Sequence, residues 1–185
     1  MSSKTPILEQ STENLKHSIH WDDYDLRVGF QVRTCVDCAW HLPEDGLLFN
    51  LQCAFDNIKA FQHNQTISPS KTAIYFSADT TYELQDKVST FFQPIGTVIY
   101  QPFNKTHSTF MNSRDSKNLY ELLSVVLDWE MLSKTDMLFH TGTSYSTIAS
   151  AVRCIPHTKL FFGSEFKGGN CSIQIPHQMT NLCNF

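Results

Sequence analysis

NLYELLSVVLDWEMLSKTDMLFHTGTSYSTIAS, residues 118–150, decides the fold class of this chain. Its first half carries apolar side chains at helical spacing, which predicts an amphipathic helix over 118–134. Met137-Leu138-Phe139 is bounded by polar residues and predicts a short buried strand over 137–140. A Gly/Ser/Thr turn follows at 141–147, and a second helix starts at about Thr147. A strand that runs into a hydroxyl-rich turn at a helix N-terminus is where α/β proteins hold phosphate groups, because free N–H groups and the helix dipole both point at the ligand.

Working outward, the same alternation extends over most of the chain. Leu26–Thr34 alternates Val28, Phe30 and Val32 and predicts a strand. The run 35–46 is a loop with Pro43 and Asp45-Gly46 as turn signals. Leu48, Leu51, Phe55 and Ile58 predict a helix over 47–62. Ala73–Ser77 predicts a strand; Leu84, Val88 and Phe91 mark a helix; Thr97–Tyr100 is a third strand; and 101–117 is a polar loop. Lys159–Phe162 is expected as the last strand. Three divisions result: a loose polar lead-in over 1–25, a Rossmann-like domain over 26–163 and an irregular tail over 164–185. Strands alternating with helices predict an α/β fold, a parallel sheet with helices on both faces and right-handed crossovers.

At 185 residues the chain is long enough for one domain with a sizeable core. The net charge of −4, with no long basic run, argues against a nucleic-acid partner. No apolar run approaches a membrane span, and the first residues lack the apolar core of a targeting signal. Read alone, the chain enters the cytosol; it reads equally as one piece of a longer chain. Six cysteines permit disulfides without implying them, and three Asn-x-Ser/Thr sequons, at Asn64, Asn104 and Asn170, lean toward the secretory pathway. Cys35-x-x-Cys38 is not followed by a prompt helix start, which argues against a redox pair, and no second pair is spaced for zinc. The histidines are scattered, giving metal chemistry no support.

Ligands of parallel sheets bind at the carboxyl ends of the strands, beside the point where strand order reverses. Polar clusters fall at three such ends. Arg33 ends the first strand, where a guanidinium grips a diphosphate or pairs with a surface carboxylate. Ser77-Ala78-Asp79-Thr80 ends the second strand, where Asp79 accepts from ribose or base N–H groups, caps the next helix, or does both. Ser144, Tyr145, Ser146 and Thr147 follow the fourth, and one of them is expected to cap the helix. Asp128, an awkward residue inside a helix, faces either solvent or a site, and Asp136 is a loop residue or cap.

Taken together, these segments resemble the donor-binding half of the fucosyltransferase superfamily that contains the α1,2-, α1,6- and protein O-fucosyltransferases. Arg27–Thr34 (RVGFQVRT) is similar to the family's first motif, an apolar strand ending in His-x-Arg. Ala73–Thr80 (AIYFSADT) is similar to the second, a strand ending in Ala/Ser-x-Asp. Residues 126–149 (VLDWEMLSKTDMLFHTGTSYSTIA) resemble the longer third motif. The resemblance runs from about Arg27 to Ala151.

The resemblance implies a glycosyltransferase of the GT-B type, with inverting transfer of L-fucose from GDP-fucose to a glycan or protein hydroxyl and no metal or other cofactor. It places Arg33 on the β-phosphate, Asp79 and Thr80 near the nucleoside, Asp128 at guanine, and Ser144 and Tyr145 around the diphosphate. Asp37, His41 and Glu44 lie in the loop after Arg33, where some relatives carry a general base, and Glu44 is the one put forward. The family's motif-one histidine is Gln31 here, and the family's N-terminal half, with most acceptor contacts, has no counterpart in residues 1–25. The expectation is a fragment of a Golgi or ER enzyme whose anchor lies upstream. The alternatives are a non-catalytic, degenerate nucleotide-sugar-binding or interaction module, and a different α/β enzyme that uses the same sheet edge.

Overall fold

A computed structural model describes residues 6–33, 44–78, 82–100, 116–141, 146–149 and 155–159. Its elements in chain order are α1 (Pro6–Ser18), β1 (Leu26–Val32), α2 (Glu44–Gln65), β2 (Thr72–Ala78), α3 (Tyr82–Phe92), β3 (Thr97–Tyr100), α4 (Ser116–Leu132), β4 (Met137–His140) and β5 (His157–Lys159). Residues 146–149 are also helical. Among the described residues, five strands form one sheet in the order β3-β2-β1-β4-β5, and every neighbouring pair is parallel. The chain is therefore α/β with a Rossmann-like parallel sheet, as the alternation predicts.

β1 lies at the centre, and six of its seven residues are buried. Such a strand must be apolar on both faces, which LRVGFQV nearly is. On one face Val28, Phe30 and Val32 of β1 join Ile74 and Phe76 of β2 under α2 and α3. There Phe30 stacks on Phe76 at 5.9 Å between ring centres and meets Phe92 edge-on at 5.3 Å. On the other face Ala73 and Tyr75 of β2 and Leu138 of β4 pack with Met131 and Leu132 of α4 and with Trp21. Trp21 meets the Tyr75 ring edge-on at 6.1 Å.

The lead-in is not loose. Residues 6–18 form α1, and Leu15 and Ile19 pack with Trp21 against the α4 side of the sheet. One narrow apolar stripe in a polar helix conceals this from composition. The last strand also begins two residues earlier than expected, at His157 rather than Lys159. Pairing decides this: β5 aligns His157 with Leu138 and Lys159 with His140 on the edge of the sheet. Residues 160–185, including the expected tail, lie outside the described residues.

Two contacts set how α4 and β4 dock on β1. The Asp136 carboxylate accepts the Arg27 backbone N–H at 2.7 Å while the Asp136 N–H donates to the Arg27 carbonyl at 2.7 Å. This fixes where β4 starts against β1. At Gly29 an added Cβ would come within 2.6 Å of Leu138 Cδ1 and 3.2 Å of Thr135 Oγ1. Gly29→Ala is expected to lower unfolding stability by about 1–3 kcal/mol through overpacking, read as a reduced midpoint in urea with an unchanged slope.

Candidate functional site

The strand order makes the site's position explicit. From β1 the chain steps outward through β2 to β3, then returns to the other side of β1 as β4 and β5. The order reverses between β1 and β4, so a crevice is expected at their carboxyl ends. Arg33 stands there, directly after β1 and half-buried. Its backbone N–H donates to Thr141 Oγ1 at 3.0 Å, and the Thr141 N–H donates to the Gln31 carbonyl at 3.2 Å. Thr141 is itself buried and directly follows β4. The two strand ends flanking the switch point are thus tied together, and the Arg33 backbone is anchored between them.

Below Arg33 a polar row crosses the sheet. The register aligns Gln31 with Ser77 on one side and with His140 on the other. These side chains share the α4 face, and all three are buried in a sheet otherwise filled by apolar groups. Ser77 Oγ donates to Asp128 Oδ2 at 2.9 Å, and the Tyr75 hydroxyl donates to Asp128 Oδ1 at 2.5 Å. Ser146 Oγ lies 3.0 Å from His140 Nδ1, which joins the helical turn at 146–149 to the end of β4.

Asp128 is 1% exposed, so of the two orientations open to it the inward one holds. Both oxygens of its carboxylate are engaged by hydroxyls of β2, which fastens α4 over the second strand. Asp136 lies at the opposite end of β4 from the crevice and works as the register pin described above. Asp79 and Thr80 immediately follow β2 in sequence but lie outside the described residues, as do Ser144 and Tyr145. Glu44 is the first residue of α2, after the carboxyl end of β1, and its side chain lies outside the description. Arg33 and Asp128 are therefore the two expected residues whose burial and bonding the structure describes, both near the carboxyl end of the sheet.

Ser77 belongs to the polar cluster that ends the second strand, whereas three further buried polar groups, Thr141, His140 and Tyr75, are not singled out by the sequence reading. Each shows a usable signal, a polar atom in or directly after an otherwise apolar strand. A literal Asp-x-Asp triplet does occur at Asp23-Tyr24-Asp25, but it enters β1 at the opposite edge of the sheet, where Asp23 approaches His20 and the Asp25 N–H donates to the Lys71 carbonyl. No cluster of three metal-ligating side chains occurs among the described residues. An apolar groove of about 440 Å³ runs between α2 and α3, lined by Leu47, Leu48, Leu51 and Phe91, on the far face from the polar row.

Tyr75→Phe is expected to cost about 1–3 kcal/mol by leaving a buried carboxylate oxygen short of a donor. The same change in an Asp128→Ala background is expected to cost little. Equilibrium unfolding of the four proteins of that cycle measures the coupling.

No protein-family model matches this chain, and no curated protein does. Solved structures do match. The NodZ α-1,6-fucosyltransferase of Bradyrhizobium co-crystallised with GDP superposes with a TM-score of 0.54 at 14% identity, over 84% of this chain and 44% of that one. The same enzyme soaked with GDP-fucose gives 0.53 at 16% identity over the same shares. An Arabidopsis thaliana FUT1 variant in complex with GDP gives 0.58 at 10% identity, over 91% of this chain and 36% of that one. The chain spans less than half the length of these structures. Over that span, it has the fold of the fucosyltransferases.

Proposed function

We propose that the chain is the GDP-fucose-binding half of a fucosyltransferase-type enzyme, and that it works with a second half that supplies most of the acceptor site. The observation that carries this reading is Arg33, anchored through Thr141 at the β1–β4 switch point of a fold shared with fucosyltransferases solved with GDP and GDP-fucose. In the proposed reaction an acceptor hydroxyl oxygen, on a glycan or a protein, attacks the anomeric carbon of fucose from the face opposite the diphosphate. The new C–O bond forms as the bond to the β-phosphate oxygen breaks. GDP leaves with its electron pair, and the hydroxyl proton passes to a general base, for which Glu44 is the candidate.

Arg33 has two roles in this scheme. Its guanidinium holds the diphosphate in the ground state and offsets the charge that builds on it as the bond breaks. Asp79, Thr80, Ser144 and Tyr145 are proposed to surround the nucleoside and diphosphate. Asp128 is proposed to act at guanine by fixing the β2 end through Ser77. No metal is required in this scheme, because the guanidinium supplies the positive charge. A second reading, a binding module without transferase activity, is favoured by Gln31 at the position where the family carries histidine.

Calorimetric titration tests the donor site. GDP and GDP-fucose are expected to bind and UDP not to bind, with Arg33→Ala lowering affinity at least tenfold, about 1.4 kcal/mol. A folded chain that takes up none of these nucleotides would sink the reading.

The lumen of the ER or Golgi is the proposed location. Cys53, buried in α2, is disulfide-bonded, which suits an oxidising compartment. The sequon at Asn64 lies exposed at the end of α2, at the sheet edge away from the crevice. In secretory cells Asn64 is expected to carry a glycan, seen as a mobility shift that is reversed by glycosidase and lost in part or whole in Asn64→Gln.

A further inference from the structure

We infer that the end of α2 is a glycan-attachment site kept against the preference of the fold. Thr66 occupies the left-handed position of the helix stop, which suits glycine, and its hydroxyl serves attachment of an N-glycan to Asn64 rather than packing. This rests on the lumen reading above and extends it to Thr66, a residue with no assigned role.

Two bonds define the helix stop. The Ile67 N–H donates to the Gln62 carbonyl at 2.9 Å, and the Thr66 N–H donates to the His63 carbonyl at 3.4 Å. This is the Schellman arrangement, in which one residue turns left-handed and the next packs back on the helix. Thr66 has φ 59°, and Ile67 packs on the α2–α3 core as Phe61 does. Gln62 Nε2 donates to Thr72 Oγ1 at 2.7 Å and to the Ile95 carbonyl at 2.6 Å. These bonds fix the last turn of α2 against the start of β2 and the turn before β3. The stop is therefore held in place, and it requires a left-handed residue at 66.

Threonine is poorly suited to that place. Glycine visits the left-handed region freely and asparagine or aspartate now and then, whereas a β-branched side chain crowds its own backbone there. Thr66 is exposed and belongs to neither apolar cluster, so no packing offsets the strain. Its place in the sequence supplies another reason. Asn64-Gln65-Thr66 is an Asn-x-Thr acceptor with all three residues exposed, and glycine at 66 would abolish it.

In the attachment step Asn64 Nδ2 bonds to the anomeric carbon of an oligosaccharide carried on a lipid diphosphate. The bond from that carbon to the diphosphate oxygen breaks, the lipid diphosphate leaves with the electron pair, and Nδ2 gives up one proton. The glycan then stands at the amino edge of the sheet, about 20 Å, one strand length, from the crevice edge. It leaves the edge that carries Arg33 open to the nucleotide and to the second half.

The test separates the fold from the modification. The full chain is sent into the ER of secretory cells by an added cleavable signal, with Asn104 and Asn170 changed to Gln so that one sequon remains. The parent and Thr66→Ser are expected to show one mobility shift reversed by glycosidase, and Thr66→Gly and Asn64→Gln to show none. Urea unfolding then compares Asn64→Gln with Asn64→Gln/Thr66→Gly, neither of which carries a glycan. The double variant is expected to have the higher midpoint, because relief of left-handed strain outweighs the freedom that glycine adds to the unfolded chain. An equal or lower midpoint overturns the inference, since Thr66 then suits the fold. So does a shift that persists in Thr66→Gly, or a parent chain whose signal is cleaved but whose Asn64 stays bare. Those outcomes leave the lumen reading standing; a natural protein found outside the lumen sinks both.

Discussion

The register of β1 is the constraint on which the rest depends. β1 is paired in parallel on both sides, to β2 along its whole length and to β4 from Val28 to Gln31. A shift of one residue would turn Phe30 and Val28 out of the α2–α3 core and bury Arg27 and Gln31 in their place. The Asp136 bridge to Arg27 at one end and the Thr141 bond to Arg33 at the other hold that register from both directions. Because Gln31, Ser77 and His140 lie at one level, the same register assembles the polar row and carries Arg33 just beyond it.

A polar layer inside a parallel sheet costs stability unless its members are satisfied. The Asp128 carboxylate is met by two hydroxyls from β2, and Nδ1 of His140 is met by Ser146. These bonds join α4 and the 146–149 turn to the sheet toward the carboxyl ends of the strands. The α2–α3 face shows the opposite character, with stacked and edge-on phenylalanines at its centre. The molecule thus has one face packed with aromatic and aliphatic side chains and another that adds hydrogen-bonded polar groups to its apolar cluster.

Sharing a fold with fucosyltransferases does not by itself carry a reaction, since function lives in the site rather than in the sheet. What supports the proposed phosphate chemistry of this chain is local. An arginine backbone is anchored at the switch point, and a buried carboxylate is locked between helix and sheet. The chain matches less than half the length of its structural neighbours, so an acceptor site is proposed to come from elsewhere.

The sequence by itself determined the α/β alternation, most element positions and Arg33 at the end of the first strand, because periodicity and the length of apolar runs are local properties of the chain. It also singled out Asp128, a helix-interior aspartate flanked by Leu127 and Trp129, without saying which way it faced. The tertiary structure alone decided that this side chain points inward onto Tyr75 and Ser77, since those partners are 53 and 51 residues away. It decided equally that residues 6–18 form a packed helix, whose few apolar contacts take effect only once α4 is present to receive them. Strand order, and with it the place where Arg33, Thr141 and Gln31 meet, arises from pairings between segments more than 40 residues apart, which no local pattern records.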